Sequence, residues 1–249
     1  MKKILFVLPN LHGGGAEKVM ANLALNIDKK IFDVKFLVFN NSNQRYLKDK
    51  KIKIINLNEK SISSGILNFL KVVNKIKPNV LISSVSHLNL MIATIKPLLP
   101  NKTIFISRES NFISSSIHFQ KNKKLMQIMY KKFYNNIDLC LVFSKKHKID
   151  ILKNTNLDRK KVKIFENSIN YKEIIANSKK KIDLKYNKYF KKDFIKYVFV
   201  GSLSYQKGLD IFIKSLIKLK KKNYVFNIVG EGSEKNKLKK LIRKNNLNN

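Results

Sequence analysis

Apolar residues fall into two rhythms along this chain, and the alternation between them predicts its architecture. Ile4 to Leu8 is an unbroken apolar run, the pattern of a strand covered on both faces, as parallel sheets require. Ala16 to Ile27 follows as a helix, and Phe32 to Phe39 and Lys51 to Leu57 read as second and third strands. Ile62 to Ile76 sets Ile66, Phe69, Leu70, Val73 and Ile76 at helical intervals and stops before Pro78. Val80 to Ser83 then reads as a strand, Leu88 to Ile95 as a helix and Thr103 to Ser107 as a strand. Lys121 to Asn136 is amphipathic at helical spacing, Leu139 to Phe143 is a strand, Lys145 to Lys153 a helix and Val162 to Phe165 a strand. Such βαβα alternation points to an α/β fold with a parallel sheet between helices.

Past Val162 to Phe165 the rhythm fails and then resumes. Tyr171 to Asp193 is lysine-rich with only a weak helical signal, so the expected organisation is a first domain over 1–172, a linker over 173–193 and a second domain over 194–249. The second domain offers a strand (Ile195 to Val200), a helix (Leu209 to Lys221), a strand (Tyr224 to Val229) and a closing helix (Glu234 to Lys244). A parallel sheet that buries both faces usually needs about four strands or more. An incomplete domain is therefore expected, with Val198, Val200, Phe226 and Ile228 partly exposed.

Candidate chemistry gathers where strands end. Gly13, Gly14 and Gly15 break the pattern after the first strand and open the first helix, whose free N–H groups and positive dipole end can dock an anion. A nucleotide P-loop needs Gly-Lys-Ser/Thr there, but Ala16, Glu17 and Lys18 follow; a dinucleotide fingerprint needs another nearby glycine, and none occurs before Gly65. A turn that uses glycine only for close packing is the other account. Arg108, Glu109 and Asn111 lie just past the strand Thr103 to Ser107, where open α/β sheets bind ligands, unless they form a surface loop with a local salt bridge. His118 sits between Ile117 and Phe119 as either a ligand-facing or a structural histidine.

Composition narrows the classes. No stretch of 18 uninterrupted apolar residues is present, so no spanning helix is expected and the chain reads as cytoplasmic. The lone Cys140 excludes an internal disulfide and packs as a small hydrophobe. The net charge of +36 invites an anionic partner, yet only four of the 52 basic residues are arginine (Arg45, Arg108, Arg159, Arg243). Base-reading and bidentate phosphate sites favour arginine, and the lysines are spread without interleaved stacking aromatics, which argues against specific nucleic acid. An anionic membrane surface remains, with Lys121 to Asn136 as the segment whose apolar side and flanking lysines suit it. A core-packing helix with a solvated lysine face is the alternative for that segment.

Four stretches, in order, resemble family 4 glycosyltransferases of the GT-B fold. They are Leu11-His-Gly-Gly-Gly-Ala-Glu-Lys18, Phe165-Glu-Asn-Ser-Ile-Asn170, Val200-Gly-Ser-Leu-Ser-Tyr-Gln-Lys-Gly-Leu-Asp210 and Ile228-Val-Gly-Glu-Gly-Ser-Glu234. The resemblance implies a Rossmann-like first domain presenting the acceptor and an incomplete second Rossmann-like domain holding a nucleotide-diphosphate sugar. It implies a retaining hexosyl- or N-acetylhexosaminyl-transferase acting on a glycan or lipid-linked acceptor in cell-envelope polysaccharide, lipopolysaccharide or glycoprotein glycan synthesis, at the inner face of the membrane. No metal or other cofactor is implied. By the same resemblance Gly14, Gly15, Ser202, Lys207, Gly208 and Glu231 contact the donor, Glu17, Arg108, Glu109 and Asn111 lie on the acceptor side, and His118 is the catalytic candidate. The family's Glu-x7-Glu motif has no counterpart here, and Ser202 stands where many members carry arginine. The expectation is thus of a truncated or split enzyme, with a C-terminal portion encoded separately; a catalytically incomplete basic module for anionic membrane or nucleic acid is the competing reading.

Overall fold

A computed structural model describes residues 1–40, 52–118, 120–167, 169, 171–181, 194–219, 223–245 and 247. The chain divides into two compact units, Met1–Tyr171 and Lys172–Asn249. In the first unit, β1 (Lys2–Leu8), β2 (Phe32–Val38), β3 (Lys53–Asn56), β4 (Val80–Ser84), β5 (Ile104–Arg108), β6 (Leu139–Val142) and β7 (Val162–Ile164) form one sheet. Their order is β3-β2-β1-β4-β5-β6-β7, and every pairing is parallel. The crossovers carry α1 (Gly15–Asn26), α2 (Ile66–Ile76), α3 (Ser86–Ile95), α4 (Ile113–His118), α5 (Lys123–Phe133) and α6 (Lys145–Asn154). The chain builds outward from β1 to β3, then returns to the other side of β1 with β4. That reversal places a topological switch point between β1 and β4, where loops diverge and leave a crevice beyond the carboxyl ends of the strands.

Strand β1 shows why the apolar run is unbroken. Leu5 and Val7 enter one core with Phe69, Val73, Leu88, Ile92, Phe105 and Tyr134. Ile4, Phe6 and Leu8 enter the other, with Met20, Ala21 and Ala24 of α1. Leu5 to Leu8 are fully buried, and Phe6 stacks on Phe36 with ring centroids 5.1 Å apart.

The first unit departs from the periodicity in two places. Residues 62–65 have helical apolar spacing but form a turn, because the Ser64 hydroxyl donates to the carbonyl of Ser61 and α2 starts only after Gly65. Helix α4 was not expected; Ile113 and Ile117, one turn apart, are both buried. The expected linker begins instead with a helix, α7 (Tyr171–Ser178), and its residues 182–193 lie outside those described. Lys51, Ser168, Asn170 and the expected helix end at 220–221 also lie outside them.

In the second unit, β8 (Ile195–Val200) and β9 (Tyr224–Val229) pair in parallel, with α8 (Leu209–Lys218) and α9 (Lys235–Lys244). Phe199, Phe226 and Ile228 pack with Ile213 and Leu238 from the helices. Register puts Val198 opposite Asn227 and Val200 opposite Val229 on the other face, where Val198, Val200 and Val229 are 58%, 75% and 58% exposed. Among the described residues no helix is long and apolar enough to cross a membrane.

The contrast between the two sheets sets expected stabilities. Phe6→Ala should cost about 3–5 kcal/mol in urea denaturation, whereas Val200→Thr should stay within about 0.5 kcal/mol. Native-state hydrogen exchange should protect the β1 and β4 amides far more than those of β8 and β9.

Candidate functional site

At the start of α1 the three glycines serve different ends. Gly13 has a φ of 112°, closed to other residues. A Cβ on Gly14 would fall 2.3 Å from Glu17 Oε2, the movable end of the third-position side chain of the helix. Gly15 faces open space. Glu17 puts a carboxylate in the first turn of α1, where the helix dipole favours negative charge.

The carboxyl ends of β4 and β5 are locked by a buried polar network. Glu109 is 1% exposed, and it accepts from Ser86 Oγ at 2.7 Å, from Tyr134 OH at 2.7 Å and from Asn89 Nδ2. Asn89 in turn accepts from Ser83 Oγ at 2.6 Å and donates to the Arg108 carbonyl at 3.1 Å. Arg108, equally hidden, donates to Ser84 Oγ at 3.1 Å and to Asn167 Oδ1, which ties β5 to the segment that follows β7. Between these anchors Val85 is held at φ 86° and ψ 121°, a conformation that strains a β-branched residue by about 1–3 kcal/mol. Arg108 and Glu109 thus hold the shape of the carboxyl edge with both side chains committed inward.

Asn111 is exposed, and its carbonyl lies 2.9 Å from His147 Nε2. His147, on α6, is fully buried between the rings of Phe112 and Phe143, and burial lowers its pKa. His118 is an exposed residue at the end of α4. The histidine built into the fold is the one that sequence spacing passed over, since a His within a lysine-rich helix start carries no distinguishing pattern.

A cavity of about 530 Å³ opens beside the switch point, lined by Asn10 after β1, Phe39 and Asn40 after β2, Glu59 after β3, and His87 and Met91 on α3. None of these residues stood out in the sequence. The rule that ligands gather beyond strand ends would have found them had it been applied to β2 and β3 as it was to β5.

In the second unit, the loops after β8 and β9 run in backbone contact. Gly201 N donates to Val229 O, Leu203 N to Glu231 O and Glu234 N to Leu203 O, at 2.9–3.0 Å. A Cβ on Gly230 would lie 1.8 Å from Gly201 O, and one on Gly232 2.3 Å from Leu203 O, so both glycines are set by this approach. Gly208, at φ 62°, turns the chain from a short 3-10 segment (Tyr205–Lys207) into α8. Ser202 and Lys207 are exposed on the first loop, and Glu231 on the second pairs with Lys235 at 2.6 Å. Four of the six residues expected at a donor thus sit on two joined loops, whereas Gly14 and Gly15 belong to the first unit. Among the described residues no three His, Cys, Asp or Glu side chains gather as a metal site.

Burial is the largest influence on Glu109 and raises its pKa above 4.5, against the opposing effects of its three donors and Arg108. The folded state then holds the proton to higher pH than the unfolded chain, so stability falls as pH rises through the interval above 4.5. Chemical denaturation across that interval should show this loss in the wild type and a flatter profile in Glu109→Gln.

Comparison with known proteins places these features. The family described as Glycosyl transferases group 1 matches residues 179–249. Over 245 residues the chain is 29% identical to an uncharacterized glycosyltransferase of Methanocaldococcus jannaschii; the match covers 90% of this chain and 59% of that protein's length. The crystal structure of Anabaena HepE in complex with UDP and glucose aligns with a TM-score of 0.73 at 17% identity, over 100% of this chain and 68% of the other. The crystal structure of WaaG, a glycosyltransferase involved in lipopolysaccharide biosynthesis, aligns at 0.66 with 14% identity, over 98% and 67%. The chain has the α/β fold of the GT-B glycosyltransferases over the part that it spans.

Proposed function

We propose that this chain is a retaining glycosyltransferase, or the larger part of one, which takes a hexosyl or N-acetylhexosaminyl group from a nucleotide-diphosphate sugar. The observation that carries the reading is the second unit. Its sequence matches glycosyltransferases over 179–249, and its two glycine loops hold Ser202, Lys207, Gly208 and Glu231 together at the carboxyl end of β8 and β9. In this reading Lys207, exposed on the first of these loops, meets the diphosphate. The amides opening α8 add their dipole, and the leaving group is neutralised without a metal ion. The first unit serves the acceptor, a glycan or lipid-linked glycan of the cell envelope.

Helix α5 supports a reading of the acceptor's setting. Leu125 and Ile128 are 52% and 60% exposed one turn apart, with Lys121, Lys124, Lys131 and Lys132 exposed around them. We place this helix on an anionic membrane at its cytoplasmic face, where an apolar stripe inserts and lysines meet headgroups.

Calorimetry with UDP, UDP-glucose and GDP-mannose tests the donor assignment. Weak saturable binding is expected, and Lys207→Ala should lower it about tenfold. Binding indifferent to Lys207 would put the donor elsewhere, and no binding of any nucleotide would remove the reading. Co-sedimentation with phosphatidylglycerol vesicles should be lost in Leu125→Glu/Ile128→Glu and should collapse near 1 M salt, where the screening length falls to about 3 Å.

A further inference from the structure

The buried histidine of α6 takes no part in the donor assignment, and its surroundings leave no place for a second proton. His147 is 0% exposed, with the rings of Phe112 and Phe143 at 4.9 and 4.4 Å between centroids. Its Nε2 lies 2.9 Å from the Asn111 carbonyl. A carbonyl only accepts, so Nε2 carries the proton and Nδ1 holds the lone pair. Nδ1 is sealed from solvent and has no hydrogen-bond partner among the described residues. Protonation would make Nδ1 a buried donor without an acceptor, and the flanking ring faces, though they attract a cation, do not replace the water it loses.

The neighbouring charges do not reverse this. Burial is the largest influence on His147 and lowers its pKa below 6.5; the Asn111 carbonyl and Asp150 raise it, and Arg108 lowers it further. Arg108 at the end of β5 and Asp150 on α6 are the charges that act on the ring. Lys145 and Lys146 of α6 are exposed, Lys148 donates to the Val162 carbonyl at 2.7 Å, and α4 carries no charged side chain before His118.

What the ring holds is the segment that follows β5. Helix α6 ties it at two points, His147 to the Asn111 carbonyl and Asp150 Oδ2 to Ser114 N at 3.2 Å. Asn111 and His118, both singled out by the sequence, lie on that segment. We infer that His147 is a proton-sensitive latch for residues 111–118: the neutral imidazole closes it on the Asn111 carbonyl, and a proton on Nδ1 opens it by driving the ring out toward water. This goes beyond the proposed function and does not rest on it.

The direction follows from linkage. In the open state the imidazole regains its ordinary value near 6.5, so the closed state binds fewer protons than the open one between its own lowered pKa and 6.5. Closure is strongest above 6.5. As pH falls below it, the closed-to-open ratio drops about tenfold per pH unit until the closed-state pKa is reached. Glu109 acts with the opposite sign over its own interval, so the two are told apart by where the change is read.

The test uses the full chain labelled with [13Cε1]His, His147→Gln identifying the His147 signal among four histidines. Amide hydrogen exchange of residues 112–117 is followed from pH 7.5 to 5 and corrected for the intrinsic rate. His147 should titrate below 6.5, and protection at 112–117 should fall by up to about tenfold per unit over the same range, while the β1 amides keep theirs. In His147→Gln, whose amide can still donate to the Asn111 carbonyl but takes up no proton, the profile should be flat. Asp150→Asn, which removes the charge that favours the imidazolium, should move the His147 midpoint lower and extend the fall with it; this variant decides the matter if His147→Gln does not fold. Protection independent of pH, the same fall in His147→Gln, a fall shared equally by β1, or a His147 titration that the amides of 112–117 ignore would each overturn the inference.

Discussion

The first unit depends on one buried carboxylate. A parallel sheet covered on both faces leaves polar chemistry only at its ends, and at the carboxyl end strands and helices must be fastened without water. Glu109 does this by accepting from α3 through Ser86 and Asn89 and from Tyr134 beyond α5. Its neighbour Arg108 reaches Ser84 on one side and Asn167 on the other. Removing the carboxylate would leave three buried donors unpaired at once, which is why its burial is tolerated despite the desolvation that raises its pKa. The strained turn at Val85 lies between Ser84 and Ser86, both of them gripped by this pair.

With that edge rigid, loops around the switch point can be shaped for ligands. Glu59 and Phe39 are joined by a backbone hydrogen bond beyond the ends of β3 and β2, and α3 brings His87 and Met91 to the same cavity. The second unit reaches a similar result by backbone alone: its two loops continue the pairing of β8 and β9 past the strand ends, and Gly230 and Gly232 are small because another main chain passes there. Glycines that look alike in sequence therefore have separate physical causes. Gly13 and Gly208 take positive φ, whereas Gly230 and Gly232 admit a neighbouring carbonyl.

Much of the fold was legible in the chain. Unbroken apolar runs announced strands buried on two faces, helical spacing announced the crossovers, and the order of both announced an α/β fold, because burial is periodic and each element records its own period. The strand-end rule pointed to Arg108 and Glu109, and four motifs pointed to a glycosyltransferase-like chain. Periodicity failed at residues 62–65, where serine hydroxyls outcompeted the helix, and it passed over α4. What only the tertiary structure decided is direction and company. Sequence places Arg108 and Glu109 at a strand end but cannot say that they point inward, since that depends on Ser84, Asn89, Tyr134 and Asn167, up to 59 positions away. Nor does it connect Glu59 with Phe39 and Met91, which lie after β3, after β2 and on α3 and become neighbours only when β1 to β4 align their carboxyl ends. A side chain's period is written locally, whereas its partners are set by the pairing order of strands.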